Sequence, residues 1–345
     1  MSYGLTHLKR LEVLQLKSFV LIIKGTIYQS RSFPTIPVSA NHFNMLKKIT
    51  RCISLLYFLV STSALFAQDS LKINTAGHIP AKDIFKLVYV PVTVPTGITE
   101  IRVKEIYANP GKNVLNLGVY SPEGYQLGNT AGFRGWSGGA KTEFFLNEAD
   151  ASTGYIPGKI KAGTWNIIIY SSTIMPEGID WQLEVILISE NAKTPFKINP
   201  SPDVVNNKPG WYRGDLHMHT YHSDGKRTQQ ELLAEAQAKK LDFIISTEHN
   251  TNSANLSWGQ YQTDNILIIN GEEVTTTAFG HWNAIGLNPE TLIEWRYAPA
   301  DNVIATYLDK VHADKGLAII NHPFYNKEHI NSFGFDVNLF DGIEV

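Results

Sequence analysis

The chain has 345 residues, 43% hydrophobic and 18% charged, with 30 Lys and Arg against 32 Asp and Glu for a formal net charge of −2. That balance excludes a protein drawn to nucleic acid or another polyanion by bulk charge. The length allows two domains, and 11% aromatic residues, with many Tyr and Trp in the middle third, favour a β-rich domain there.

The N-terminus reads as a targeting segment. Met45, Lys47, Lys48 and Arg51 form a basic head, Ile53 to Val60 an apolar run, and Ser61 to Ala67 a small-residue stretch with a cleavage point after Ala67. The run is shorter than the roughly 20 residues of a membrane span. Residues 45–67 are therefore expected to be a signal peptide, with export to the periplasm or medium and no membrane attachment after cleavage. Residues 1–44 are expected to be an extension ahead of a true start at Met45. The only cysteine, Cys52, falls inside the signal peptide. The mature protein then has neither disulfides nor thiolate ligands, and any metal must be held by nitrogen and oxygen.

Residues 69–205 predict a β-sandwich. Leu87 to Val92, Ile101 to Lys104, Val114 to Tyr120, Trp165 to Tyr170 and Trp181 to Leu187 have strand composition, and Asn109-Pro110-Gly111 and Pro122-Glu123-Gly124 punctuate them. Gly135-Trp136-Ser137-Gly138-Gly139 has the spacing of a serine-hydrolase elbow, but Thr142 to Leu146 after it reads as a strand where that motif requires a helix. It is expected to be a glycine-rich turn. A segment rich in Pro, Asn and Gly, Asn199 to Gly210, marks the boundary.

Residues 206–345 alternate strand and helix. Tyr212 to His219 predicts a strand and Gln229 to Ala238 a helix capped by Thr228. Leu241 to Thr247 and Ile266 to Gly271 predict buried strands, followed by a helix Val303 to Ala313 and a strand Leu317 to Ile320. This is parallel α/β character, with polar residues at the C-terminal strand ends, where barrel enzymes keep their chemistry. Of 11 histidines, His217, His219, His222, His249, His281, His312, His322 and His329 lie beyond residue 210. In Asp215-Leu216-His217-Met218-His219, strand alternation points both imidazoles the same way, within reach of one ion, and Asp224 can fold back as an oxygen ligand. Thr247-Glu248-His249-Asn250, Gly271-Glu272-Glu273, Gly280-His281-Trp282-Asn283 and Asn321-His322-Pro323 complete the series. Of Glu272 and Glu273, alternation lets only one face the site.

This ordered series resembles the PHP (polymerase and histidinol phosphatase) metallohydrolases, and more narrowly the secreted branch related to carbaryl hydrolase, in which a β-sandwich precedes the PHP domain. The resemblance covers about residues 211–345 and implies a distorted (β/α)7 barrel with two or three divalent ions, Zn, Mn or Fe. It implies that His217 and His219 hold a first ion, Asp224 and His249 a second, with Glu273 bridging and His281 and His322 completing a third position. Asp215, Glu248 and Glu272 are expected to support these ligands or to contact substrate, as are the basic Lys226 and Arg227. PHP domains end in a further Asp-x-His motif, and none follows Asp215-Leu216-His217 here, so the resemblance implies a longer enzyme of which this chain is a part, weakly active or inactive by itself. The expected activity is metal-dependent hydrolysis of a small phosphoester, with carbamates or carboxylic esters as a second substrate class. A non-catalytic protein whose sandwich binds carbohydrate or a surface is the third reading.

Overall fold

The computed structural model describes residues 70–190, 193–202, 206, 208–261, 263, 265–323 and 333–345. The expected extension and signal peptide, with Cys52, lie outside the described residues, as does His329. No helix among the described residues is long and apolar enough to cross a membrane.

The first eight strands are β1 (Ser70–Ile79), β2 (Val88–Val94), β3 (Glu100–Tyr107), β4 (Val114–Tyr120), β5 (Phe133–Gly138), β6 (Glu143–Asn147), β7 (Gly163–Thr173) and β8 (Ile179–Ile188). They form two four-stranded sheets, ordered β1-β8-β3-β6 and β2-β7-β4-β5, antiparallel throughout. In β8, residues Ile179, Trp181, Leu183, Val185 and Leu187 alternate inward, the signature of a sheet with one dry face. They meet Trp165, Ile167 and Ile169 of β7 in a shared core. The intervening β7 residues Ile168 and Tyr170 are buried as well, in a different cluster. Strand β7 is dry on both faces because the second half of the chain covers its outer side.

That second half builds a six-stranded sheet ordered β14-β13-β12-β11-β10-β9. Its strands are β9 (Gly214–Asp215), β10 (Phe243–Ser246), β11 (Leu267–Thr275), β12 (His281–Ile285), β13 (Leu317–Ile320) and β14 (Gly342–Ile343), with helices α1 (Gln229–Ala238) and α2 (Ile304–Ala313). Strands β9, β10 and β11 run parallel, but β12 is antiparallel to both neighbours. The architecture is mostly β, and the sheet of the described residues is mixed, where the alternation of strands and helices predicts parallel neighbours throughout. The reason is local. Only Thr276 to Gly280 join β11 to β12, enough for a reversal and far short of the dozen residues a parallel crossover needs.

The predicted strand from Tyr212 to His219 also contracts to Gly214–Asp215. Beyond Asp215 side chains replace the ladder: the Met218 amide donates to Thr247 Oγ1 at 2.8 Å and the Thr220 amide to Glu248 Oε1 at 2.9 Å. Residues expected to be a linker pack down too, with the Asn199 amide donating to Leu256 O and Ser201 Oγ to Ile268 O.

Sandwich and second sheet share an apolar cluster in which Tyr120, Phe133, Trp136 and Tyr170 meet Val274, Trp282, Trp295 and Tyr297. Beside it Arg296 is ion-paired with Glu294 at 2.5 Å, both side chains 1% exposed. The Arg296 guanidinium also donates to Tyr89 Oη at 3.1 Å and Tyr125 O at 2.5 Å and lies 4.3 Å over the Tyr120 ring.

Candidate metal centre

Strand β11 carries two consecutive glutamates through the middle of the sheet, and strand alternation sends them to opposite faces. Glu272 turns into the packed side, where its Oε2 accepts the Ile293 amide at 2.8 Å. Burial pushes its carboxyl up to about 8. Glu273 faces the other way and is fully buried, at the focus of five imidazoles. Its Oε2 lies 3.1 Å from His217 Nε2, 3.2 Å from His219 Nε2 and 2.9 Å from His249 Nδ1. Its Oε1 lies 3.0 Å from His281 Nδ1 and 3.1 Å from His322 Nε2, and accepts from Asn321 Nδ2 at 2.9 Å. Burial by itself would raise the Glu273 carboxyl, but the surrounding histidines, His249 foremost, hold it well below the usual carboxylate range.

Each ring has its own support. Burial alone would lower His217, but Glu273 and Glu344, the latter with Oε2 3.2 Å from His217 Nδ1, push it up to about 9. His219 stacks on His249 with centroids 4.4 Å apart and planes at 11°, and its Nδ1 is 3.4 Å from Ser223 Oγ. His249 sits three residues beyond β10, bridged to Glu273 through the backbone, with its Nδ1 2.6 Å from Thr275 Oγ1. Burial would lower it, yet the Glu273 charge carries it upward. His281 opens β12, and burial lowers it. His322 follows β13 with φ at 30°, the region that favours glycine. A histidine there costs about 1–3 kcal/mol of backbone strain, which concentrates at functional sites. Its amide donates to Glu344 Oε2 at 2.8 Å.

The donor set fits divalent ions. His217, Glu273 and His322 form one group and His219, His249 and Glu273 another, the ligand atoms of each lying within 4.8 Å of one another. Glu273 Oε2 has three ring nitrogens close by, yet none at a hydrogen-bonding angle. Nitrogen lone pairs converging on a dry carboxylate oxygen are what a shared cation would organise. The pairs expected from the sequence also stand together: His217 Nε2 and His219 Nε2 lie 3.1 Å apart beside Oε2, and His281 and His322 share the Oε1 side of Glu273. The His217 and His219 rings meet edge to face at 67° with centroids 5.0 Å apart, and His217 also stacks near His322, 5.4 Å away.

The remaining predicted residues separate. Asp224 sits at the mouth, its side chain 59% exposed and its Oδ1 3.6 Å from His249 Nε2. Lys226 lines the same cleft, whereas Arg227 turns away to Glu235 at 3.7 Å. Asp215 is exposed and accepts the His217 amide at 3.3 Å. Glu248 is buried and wholly engaged with the loop after His219, taking both donors of Thr220 and, at 2.5 Å, the hydroxyl of Ser223. His222 leaves the centre for the sandwich: its Nδ1 lies 2.8 Å from Ser253 Oγ and 3.4 Å from the Gly154 amide, and burial lowers it. Gly154 is required there, since a Cβ would stand 2.6 Å from His222 O. His312 pairs with Asp341 at 2.9 Å.

Sequence reasoning missed four contributors. Asn321 and Asn283 bond each other and orient Glu273; amides inside apolar strands next to His322 and Trp282 were the available signal. Glu344 closes the far side, signalled only by an acid at the end of a short apolar strand. Lys141 reaches from the sandwich to donate to Tyr221 O at 2.7 Å and Ser223 O at 3.2 Å, bracing the loop that carries Asp224.

No protein-family model matches the chain, and no curated protein matches it. Among solved structures it is similar to a two-domain protein from Bacteroides vulgatus containing a predicted PHP-like metal-dependent phosphoesterase, at 25% identity over 45% of this chain with a TM-score of 0.32. The chain spans about half of that protein's length, 49%. A family two carbohydrate esterase from Cellvibrio japonicus is similar at 8% identity, over 58% of this chain and 90% of the other, with a TM-score of 0.15.

Proposed function

We propose that this chain carries the metal centre of a PHP-type hydrolase acting on small phosphoesters, its mixed sheet being part of a (β/α)7-type wall. The reading rests on one observation: five imidazoles converge on the fully buried Glu273 carboxylate. Burying one carboxylate needs one or two partners. Five rings, all drawn from beyond the ends of strands or from a strand's first residue, are far more than pairing requires, and they match the nitrogen and oxygen chemistry of zinc, manganese or iron.

His217, Glu273 and His322 would hold one ion and His219, His249 and Glu273 a second, with His281 beside the Oε1 side of the shared carboxylate and Asp224 at the entrance. Bound there, divalent ions lower the pKa of water and neutralise charge on a phosphoryl oxygen. The chain's own groups supply the rest. Glu248, Thr220 and Ser223 fix the turn that aims His219. Glu344, on the His217 nitrogen turned away from Glu273, sets the proton position on that ring, as carboxylates do behind metal-binding rings. Lys226 presents a cation to an anionic substrate in the cleft. We place this activity after export.

The test is metal analysis with phosphoester turnover on the purified chain, His217→Ala and Glu273→Gln. Bound metal in the parent, reduced in the two variants, is the expected result, and any hydrolysis of p-nitrophenyl phosphate should fall with it. Metal content identical in parent and variants would end the reading. N-terminal sequencing of exported protein tests cleavage after Ala67.

A further inference from the structure

The cleft beside the histidines, about 460 Å³, has two chemically different walls. One carries Asp224, Lys226, His249 and His281; the other comes from the sandwich, through Asn116, Trp136, Gly138 and Gly139 at the end of β5 (a strand where the sequence predicts a glycine-rich turn), Tyr170 and Ser172, and bears no charged side chain. Asn116 and Trp136 are only 6% and 2% exposed. Side chains this buried normally have every polar atom partnered. Asn116 Oδ1 and Trp136 Nε1 make no hydrogen bond to a described residue and are the atoms by which these buried side chains reach the open cleft.

Both atoms are held in direction. Asn116 Nδ2 donates to the Tyr170 carbonyl at 3.1 Å and to Ser172 Oγ at 3.0 Å. A carbonyl can only accept, so the amide nitrogen faces it and the oxygen faces the cleft. The Trp136 ring stacks on Tyr170 at 5.7 Å and leans on Trp295 at 4.4 Å, which fixes its N–H. The two atoms open onto one small space. A Cβ on Gly138, where φ is 53°, would lie 3.5 Å from Asn116 Oδ1 and 3.6 Å from Trp136 Nε1. Glycine keeps that space clear.

We propose that Asn116 Oδ1 and Trp136 Nε1 form a substrate subsite for an uncharged group that both donates and accepts a hydrogen bond, a polyol hydroxyl or a carboxamide, on the portion of the substrate away from the scissile bond. One fixed acceptor beside one fixed donor complements such a group. An ionic group finds no counter-charge on this wall and would be desolvated at a cost. What becomes of the bound molecule rests on the hydrolase reading; the binding itself does not.

The experiment is a titration of the full chain, labelled with ¹⁵N-tryptophan, by glycerol and separately by acetamide, read at the indole N–H resonances. Loss of one resonance in Trp136→Phe assigns it. The Trp136 resonance is expected to move saturably with at least one ligand, the two arms telling polyol from carboxamide, while Trp211, fully exposed at 102%, reports bulk solvent effects. Gly138→Ala should abolish the saturable shift by placing a methyl between the two atoms. In Trp136→Phe, which keeps the packed ring, affinity read by saturation transfer on the ligand should fall roughly 2- to 12-fold, the worth of one neutral hydrogen bond. A Trp136 resonance that moves with neither ligand, that only tracks Trp211, or that moves equally in Gly138→Ala overturns the proposal. The titration needs neither turnover nor added metal, so it fails separately from the metal analysis above.

Discussion

Asn321 donates from Nδ2 to Glu273 Oε1 and to Asn283 Oδ1, each at 2.9 Å, and so fixes the carboxylate about which the rings gather. Groups that orient a metal-binding carboxylate are typically worth 10- to 100-fold in metal affinity. Asn321→Ala should therefore weaken zinc binding about 10- to 100-fold in competition with a chromophoric chelator, with the far-UV circular dichroism unchanged. A second isolated residue matters for stability. Glu105 in β3 is 2% exposed, neither of its oxygens has a hydrogen-bond partner, and burial pushes its carboxyl up to about 9. It is protonated in the fold and ionised when unfolded at neutral pH, so the unfolded chain binds fewer protons and this residue costs stability as pH rises from about 4.5 towards 9. The cost is on the order of 3 kcal/mol at pH 7. Glu105→Gln should stabilise the protein in urea melts at pH 8, less at pH 6, and not at pH 4; an equal effect at all three would disprove the assignment.

Elements with local rules could be read from the sequence. Helix α1 begins where Thr228 promised, in a full capping box with Glu231, and Thr228→Ala should cost about 1 kcal/mol in urea denaturation at constant m-value. Period-2 alternation separates Glu272 from Glu273 in β11 without any structure. Elements that depend on distant partners could not be read. Nothing local says that β12 reverses direction, that Tyr212 to His219 gives up its ladder to Thr247 and Glu248, or that β14 brings Glu344 against His217. Lys141 is similarly silent in sequence, because its acceptors, Tyr221 O and Ser223 O, are backbone atoms 80 or more residues away. Lys141→Met should loosen that loop, detectable as faster amide hydrogen exchange at residues 221–225.

For the molecule as a whole, the sandwich and the mixed sheet belong to one compact unit, Gln68–Val345, joined by the aromatic cluster around Trp136 and Trp295 and by Arg296. Removing one partner of a buried ion pair strands the other charge. Arg296→Ala should cost about 3–5 kcal/mol for that reason, and tryptophan fluorescence and circular dichroism should still report one coincident unfolding transition in the parent. Two separated transitions would show that the halves are energetically independent.

His217 and Glu344 are 127 residues apart in sequence yet touch across the site. Contacts that far apart form late, after chain-closure entropy has been overcome. Ions would then be captured by a sheet already assembled rather than nucleating it. Stopped-flow refolding should run at the same rate with zinc or with chelator, while unfolding slows when zinc is present. The centre would behave as a clasp that lengthens the lifetime of the native state.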